Sequence, residues 1–206
     1  MTADNRRRVS DTLAAAAQLA SDLGVGVHIH VAEGPEDGDA EKRLAGLTDD
    51  RWLLVHGVHL SEDHELTGTI VHNPRSNMNN AVGYANPARF DNPVALGTDG
   101  IGADMLDEFR LAYVRHREAD VEAGPDEAWE WMARGRALFP EAEADVVTWN
   151  YPTMEPWHLA FSTGVRPLRI EIDEEVVWDG GKPTQVDAAE IRAKAAEQAR
   201  RLHARL

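Results

Sequence analysis

The sequence predicts an α/β protein built on a parallel sheet, and three observations carry that prediction. Helical and strand-like segments alternate along the first part of the chain. The strand-like segments are nearly continuous apolar runs, which is typical of parallel strands covered by helices. Polar residues follow these runs at their C-terminal ends, where parallel α/β folds place their active sites. Four such strand–helix units correspond to half of an eightfold barrel.

Each predicted element has its own signal in the sequence. An Ala-rich amphipathic segment predicts a helix over residues 2–24, with Gly24 as its C-terminal stop. A short helix is expected over 62–67, because Ser61 is a good N-cap and acidic residues fill the first turn. A longer helix with Met105 on its apolar face follows the fourth strand. The four strands are expected at 25–31, 52–58, 69–73 and 93–99.

The pattern changes after residue 124. A helix is expected over 126–138 and a terminal helix over 187–205, which begins with Asp187 and Glu190 in a capping-box pattern. Short strands are expected between these helices, at 145–149, 168–172 and 175–178. We therefore divide the chain into a half-barrel region, residues 1–140, and a second region, residues 141–206.

Composition excludes several classes of site and partner. The 206 residues include no cysteine, so any metal must be held by His, Asp or Glu. The net charge of −15 argues against nucleic acid or an anionic membrane as a partner, because both require clustered positive charge. The N-terminus shows no signal-peptide pattern, and no apolar run is long enough to span a membrane, so a cytoplasmic location is expected. An acidic, lysine-poor surface also suits a halophilic source.

The four strand ends carry side chains suited to hydrolysis. A hydrolase that activates water with a metal ion needs neutral imidazoles and a carboxylate as ligands, and a further carboxylate to move the proton. A single histidine at a strand end is more often a buried, hydrogen-bonded residue, and a Gly-Thr-Asp-Gly segment is more often an ordinary turn. Together, however, these groups favour a metal-dependent site. The strand ends read HIHVAE (28–33), HGVH (56–59), VHNPRSN (71–77) and LGTDG (96–100).

The series HIHVAE, HGVHL, HNPRSNMNNAVG and LGTDGIGADM resembles the amidohydrolase superfamily. It is similar to the aminohydrolase and chlorohydrolase branch, which includes cytosine, guanine and adenosylhomocysteine deaminases, and most similar to the SsnA-like aminohydrolases. The resemblance covers nearly the whole chain. It implies the C-terminal half of a metal-dependent hydrolase TIM barrel over residues 1–140. Residues 141–206 would then be an arm of the small β-sandwich that flanks such barrels, with the terminal helix.

The resemblance also implies roles for individual residues. His30 matches a metal-binding histidine, and Asp99 matches an aspartate that binds metal and acts as a base toward water. Glu33 matches the glutamate that moves protons between water and the leaving group. His56 matches a histidine that polarises or orients the substrate. One divalent metal ion is implied, with zinc as the first candidate and iron as the alternative.

Three further residues near these motifs have weaker assignments. His72 and Asn77 fall in the segment after the third strand and are expected on the substrate side. His28 lies two residues before His30 and so shares its face of the strand. The resemblance places this pair on a strand where an extra histidine occurs without being a primary ligand.

The chain departs from the family pattern in one respect. The family carries an HxH metal-binding pair on its first barrel strand, and nothing upstream of His30 supplies it. The reading frame could be truncated, a separate polypeptide could supply the other half, or the chain could be a decayed remnant. A half barrel would expose strand edges and apolar interior surface, so pairing with a second copy or with a separate N-terminal half is expected.

Three functions are compatible with this sequence. The first is hydrolysis of a non-peptide C–N bond in a small, N-heterocyclic substrate by metal-activated water, as in the deaminases. The second is a non-catalytic remnant or subunit that contributes only an interface and must pair with another chain. The third is a plain metal-binding α/β module of the periplasmic or storage type, against which the lack of a signal sequence speaks.

Overall fold

The structure is a computed structural model that describes residues 3–205, and the side chains from Val9 onward. The chain divides into two compact units, with the boundary between Leu138 and Phe139. The helices and strands of the first unit are α1 (Ala3–Leu23), β1 (His28–Val31), α2 (Ala40–Leu44), β2 (Leu53–His56), β3 (Thr69–His72), α3 (Pro74–Asn79), β4 (Val94–Leu96), α4 (Met105–Ala119) and α5 (Pro125–Ala137). Short 3₁₀ turns lie at Pro35–Asp37 and Pro87–Arg89.

The first unit is built on a four-stranded parallel sheet in the order β1-β2-β3-β4. Because side chains alternate along a strand and paired residues point to the same side, the register defines two faces. One face carries the row His30, Val55, Val71 and Ala95. The α/β class and the parallel sheet are confirmed, and the sheet corresponds to part of a barrel.

The strands are shorter than the apolar runs that predict them. Strand β1 begins at His28, because Val25 still belongs to the end of α1, where its N–H donates to the carbonyl of Ala20 and Gly24 is left-handed. The other ends of the strands are set by backbone conformation. The chain turns left-handed at Ala32 and at His56, which closes β1 and β2 at those residues.

The short helix expected over 62–67 is absent, and that prediction is wrong. Ser61 does not cap a helix; its N–H and Oγ both donate to the carboxylate of Glu41 on α2. Leu66 is buried, and its N–H donates to His64 Nδ1. A six-residue segment with a single buried apolar side chain gains too little by forming a helix, and these side-chain hydrogen bonds stabilise an irregular loop instead.

Helices α4 and α5 cover the β4 side of the sheet. Asp104 caps α4 by accepting hydrogen bonds from the N–H groups of Leu106 and Asp107. Phe109 on the same helix is fully buried. Helix α5 lies directly against β4, where Arg134 Nη1 donates to the carbonyl of Val94 at 3.0 Å. These two helices thus support β4, the strand after which Asp99 lies.

The second unit contains an antiparallel sheet in the order β5-β6-β7-β8. Its terminal helix is capped by Asp187, whose Oδ1 accepts from the N–H groups of Ala189 and Glu190. That this unit is the arm of a β-sandwich stays a prediction. Its elements are β5 (Val146–Trp149), α6 (Pro156–Phe161), β6 (Pro167–Ile172), β7 (Glu175–Asp179), β8 (Lys182–Pro183) and α7 (Ala188–His203), preceded by a 3₁₀ turn at Pro140–Ala142.

Within residues 3–205, none of the helices combines the length and the apolar character that crossing a bilayer requires. The cytoplasmic location remains a prediction from the sequence.

Candidate active site

Four side chains named by the sequence motifs come together at the C-terminal ends of the strands. His30 lies on β1, Glu33 follows that strand, His56 ends β2 and Asp99 follows β4. His56 and Asp99 both have left-handed backbones, with φ of 74° and 51°. Such conformations cost roughly 1–3 kcal/mol each for residues with side chains and persist only where the surroundings hold them. The strand ends are therefore held in a specific, strained arrangement.

The point of convergence is Nε2 of His56. This atom lies 3.3 Å from His30 Nδ1, 3.6 Å from Glu33 Oε2 and 3.8 Å from Asp99 Oδ2. The His30 and His56 rings meet edge to face, with centroids 4.7 Å apart. His56 is completely buried, whereas the His30 side chain is 55% exposed. The cluster is therefore open to a ligand on the His30 side and closed behind His56.

The donor set fits a divalent metal ion. One ligand atom from each of His30, Glu33 and His56 lies within 4.8 Å of the others. Imidazole nitrogen and carboxylate oxygen are the ligand types of catalytic zinc and of non-haem iron. Asp99 brings a second carboxylate to the same nitrogen of His56. The residues at these strand ends can thus hold an ion and leave a carboxylate free for proton transfer.

A short helix directly behind the cluster supplies several of its hydrogen bonds. Asn77 Oδ1 lies 2.7 Å from His56 Nδ1, and Asn77 is itself buried. Ser76 Oγ donates to Asp99 Oδ2. This hydrogen bond, with a second one from the backbone N–H of Gly100, keeps the pKa of Asp99 below its ordinary value. The carboxylate is therefore held in its charged, metal-binding form.

Close packing also shapes this end of the sheet. At Gly97 a Cβ atom would lie 2.4 Å from Asn73 Oδ1 and 2.9 Å from a methyl group of Val71. Any side chain there would displace the start of α3 or the end of β3. The glycine of the LGTDG motif is therefore required for the close approach of these two segments.

His72 lies apart from the four converging side chains. Its ring meets those of Tyr84 and Trp131 edge to face, with centroids 5.9 and 6.4 Å away. It is 1% exposed, and neither of its nitrogens has a hydrogen-bond partner among the residues described. Burial, reinforced by electrostatic repulsion from neighbouring residues that include Arg115, lowers the pKa of His72 to about 3. A substrate-side role stays a prediction that this placement does not favour.

Asn77 and His28 also lie outside the cluster of four side chains. Asn77 is buried behind His56 and contacts its far nitrogen. His28 is exposed, and its ring is stacked on that of His30 with a centroid separation of 6.2 Å. His28 therefore lies one step further along the same face, outside the cluster around His56.

The sequence motifs predict no functional role for Ser76, Arg75, Asn80 or Glu108. The structure shows that Ser76 binds Asp99, and that Asn80 Nδ2 donates to Glu33 Oε1 at 3.1 Å. The available signal was Pro74, which favours the first position of a helix. A helix starting there brings positions 76, 77 and 80 close together behind the strand ends.

Comparison with known proteins agrees with this geometry. The sequence pattern of the amidohydrolase family matches residues 5–133, more than half of the chain. The chain belongs to the amidohydrolase family. The fold class and the family predicted from the sequence are thereby confirmed. The predicted deaminase branch is confirmed as well, because the relatives that match carry deaminase names.

Two relatives illustrate the likeness in sequence. A 5-methylthioadenosine/S-adenosylhomocysteine deaminase of Syntrophomonas wolfei is 29% identical, in an alignment that covers 90% of this chain and 54% of the relative. A 5'-deoxyadenosine deaminase of Methanospirillum hungatei is 33% identical, in an alignment that covers 75% of this chain and 43% of the relative. The chain thus spans about half the length of the curated relatives it matches.

Solved structures show the same fold. A zinc-bound adenosine deaminase from Xanthomonas campestris superposes with a TM-score of 0.78 at 23% identity, covering 95% of this chain and 55% of that one. The zinc complex of the atrazine chlorohydrolase TrzN from Arthrobacter aurescens superposes with a TM-score of 0.67 at 20% identity, covering 91% and 51%. The parallel sheet of this amidohydrolase chain therefore matches part of their fold.

Proposed function

We propose that this chain carries half of the active site of a metal-dependent deaminase, which hydrolyses a non-peptide C–N bond of a small N-heterocycle. The observation that carries the proposal is the convergence of His30, Glu33 and Asp99 within 4 Å of one nitrogen of His56. In the overall reaction, water replaces the amino group of the substrate and ammonia leaves.

His30 and Asp99 would hold the metal ion, as the motif resemblance implies. Zinc is the first candidate because two of the structural neighbours contain it, and iron is the alternative. When bound, such an ion lowers the pKa of water and polarises the bond under attack. The exposed side of His30 provides the approach to this position.

Glu33 is proposed as the group that moves protons. Its Oε2 faces His56 and His30, while its Oε1 accepts a hydrogen bond from Asn80. One carboxylate oxygen is thus fixed and the other faces the reacting groups. Glu33 can take a proton from water and deliver it to the departing amine.

His56 is proposed to orient the substrate, and Asp99 is proposed to act as a base toward the attacking water. With Nδ1 of His56 bound to Asn77, its Nε2 faces the cluster beside His30, where it can orient the substrate. Asp99, held ionised by Ser76, can accept a proton from the attacking water. The two residues, with Glu33, supply the acid, base and orienting groups that a deamination needs.

The substrate proposed is a purine nucleoside with an exocyclic amino group. The relatives that match are named for 5-methylthioadenosine, S-adenosylhomocysteine and 5'-deoxyadenosine, which share the adenine ring. The adenine amino group is the common reacting group of these molecules. A complete barrel of this kind has eight strands and the parallel sheet of this chain has four, so we propose that four further strands complete the site, from a second copy or an N-terminal half.

An ammonia-release assay on the zinc-loaded, completed barrel tests the proposal. Adenosine-type nucleosides should be deaminated, and Asp99→Ala should abolish turnover. Met78→Ala serves as the control, because Met78 lies on the same helix, α3, and its side chain is exposed. If no purine nucleoside or other amino-heterocycle is turned over by the completed, zinc-loaded protein, the non-catalytic alternative is correct.

A further inference from the structure

Helix α3 contacts three of the four converging side chains from behind. Asn77 meets His56, Ser76 meets Asp99, and Asn80 at the C-terminal end of the helix meets Glu33. Asn80 Nδ2 also lies 3.4 Å from Ser76 Oγ, so the contacts of Ser76 with Asp99 and of Asn80 with Glu33 belong to one hydrogen-bond network. These contacts come from the six residues of α3 and its cap, Asn80. None of the three side chains is expected to touch the substrate.

The contact with His56 has a chemical consequence. A neutral imidazole carries one proton, and the nitrogen opposite the protonated one is an acceptor. Asn77 Oδ1 can only accept, so at 2.7 Å it selects the form of His56 that is protonated on Nδ1. Nε2, the nitrogen at the centre of the cluster, is then left with its lone pair toward His30, Glu33 and Asp99.

An ion pair between a buried glutamate and a partly exposed arginine anchors α3. Glu108 on α4 is fully buried, and its Oε1 lies 2.7 Å from Nε of Arg75. Its second oxygen accepts from the backbone N–H of Arg75 at 3.3 Å. One carboxylate thus holds both the side chain and the first turn of α3. The residue next in sequence is Ser76, so the anchor is directly coupled to the network behind the site.

We propose that Asn77 is a positioning residue that fixes neutral His56 as its Nδ1–H tautomer, on a helix held in place by Arg75 and Glu108. This inference deepens the proposed function, on which its catalytic meaning rests. The hydrogen-bond geometry that motivates it, however, is a property of the chain itself. Asn77 moves no proton and binds no ion; it determines which nitrogen of His56 faces the reaction.

Nitrogen-15 NMR of the histidine side chains in the metal-free chain tests the proposal. At alkaline pH, where the imidazoles are neutral, the couplings between ring protons and nitrogens report which nitrogen is protonated. His56 should show the Nδ1–H pattern, identified by the loss of its signals in His56→Phe. In Asn77→Ala the ratio of tautomers should shift by about tenfold toward Nε2–H, the form free histidine favours.

Matched variants separate positioning from packing. Asn77→Asp keeps an acceptor at the same distance and should retain the Nδ1–H tautomer, whereas Met78→Ala on the exposed side of α3 should leave it unchanged. A native spectrum that shows His56 as Nε2–H overturns the proposal, even if every Asn77 variant fails to fold. An unchanged tautomer in folded Asn77→Ala overturns it as well. Neither result depends on bound metal or on turnover, so failure of the deaminase assay remains a separate outcome.

Discussion

His56 and His72 end neighbouring strands, both are buried, and their surroundings are opposite. The register pairs Val31 with His56 and His72 with Leu96, so both histidines fall on the row of the sheet that faces away from His30. His56 nevertheless reaches His30, with its two nitrogens bound to Asn77 and His30. His72 stays between aromatic rings, with neither nitrogen bonded to a described residue.

The backbone explains this difference. His56 has a φ of 74°, and this left-handed conformation turns its side chain out of the regular alternation and toward the site. His72 stays within the ladder of β3, and its side chain follows the alternation to the aromatic side. A histidine at a strand end is therefore recruited to the site by local backbone conformation as well as by its position in the chain.

The largest difference between the surroundings of His56 and those of His72 is expected in enzyme activity. In the completed enzyme, His56→Phe should lower kcat/KM by about 10²–10⁴-fold, because it removes a group that acts on the substrate. His72→Phe should stay within a small factor of the unsubstituted protein, since its ring lies among Tyr84 and Trp131. Ammonia release measures both variants. An equal loss of kcat/KM in the two variants would contradict the assignment of His56, and not His72, to the active site.

A smaller effect is expected from the ion pair that anchors α3 on the His56 side. Arg75→Met leaves the buried carboxylate of Glu108 without its partner and should lower the free energy of unfolding by about 3 kcal/mol. Glu108→Gln removes that charge while keeping its shape, and should cost less. Urea denaturation of both variants checks the order. If Glu108→Gln lowers the free energy of unfolding more than Arg75→Met does, Arg75 does not stabilise the fold by compensating the buried charge of Glu108.

The pH dependence of stability should identify His72. Its folded pKa of about 3 lies below the ordinary value of 6.5, so the unfolded chain binds the extra proton first as the pH falls. The stability associated with neutral His72 is present above about pH 6.5 and declines below it by about 1.4 kcal/mol per pH unit, until the folded pKa is approached. His72→Phe should remove this component.

Chemical denaturation between about pH 7 and pH 4 measures that component as the difference between the two proteins. The other titrating groups are shared and largely cancel in the difference. If the two stability curves run parallel over this range, the folded-state pKa of His72 is not lowered. The site between Tyr84 and Trp131 would then be accessible to water.

The sequence predicted the sheet and the four converging side chains because both follow from short-range signals. Apolar runs predicted the strands, and parallel strands must end at the same edge, which brings His30 and Asp99 together. The face on which His72 lies could not be predicted in the same way. It depends on register and on the left-handed turn at His56, neither of which a strand pattern reveals.

The contacts that the sequence does not predict are those that join distant segments. Ser61 binds Glu41, 20 positions away, and this contact replaces the expected cap. Glu108 binds Arg75, 33 positions away. No local preference indicates such partners, because they are selected by how the loops pack around the finished sheet. The role of α3 behind the site follows from the same kind of contact.

Metal content of the purified chain tests the central claim, that these strand ends form one metal-centred site. Elemental mass spectrometry on protein prepared without chelator should find about one zinc or iron per chain. The donor atoms of His30, Glu33 and His56 already lie within 4.8 Å of one another, and Asp99 Oδ2 lies 3.8 Å from His56 Nε2. Asp99→Ala and His30→Ala should each lose the ion, whereas His72→Phe should keep it. A chain without metal, or one that retains its ion in Asp99→Ala and His30→Ala, would contradict the account.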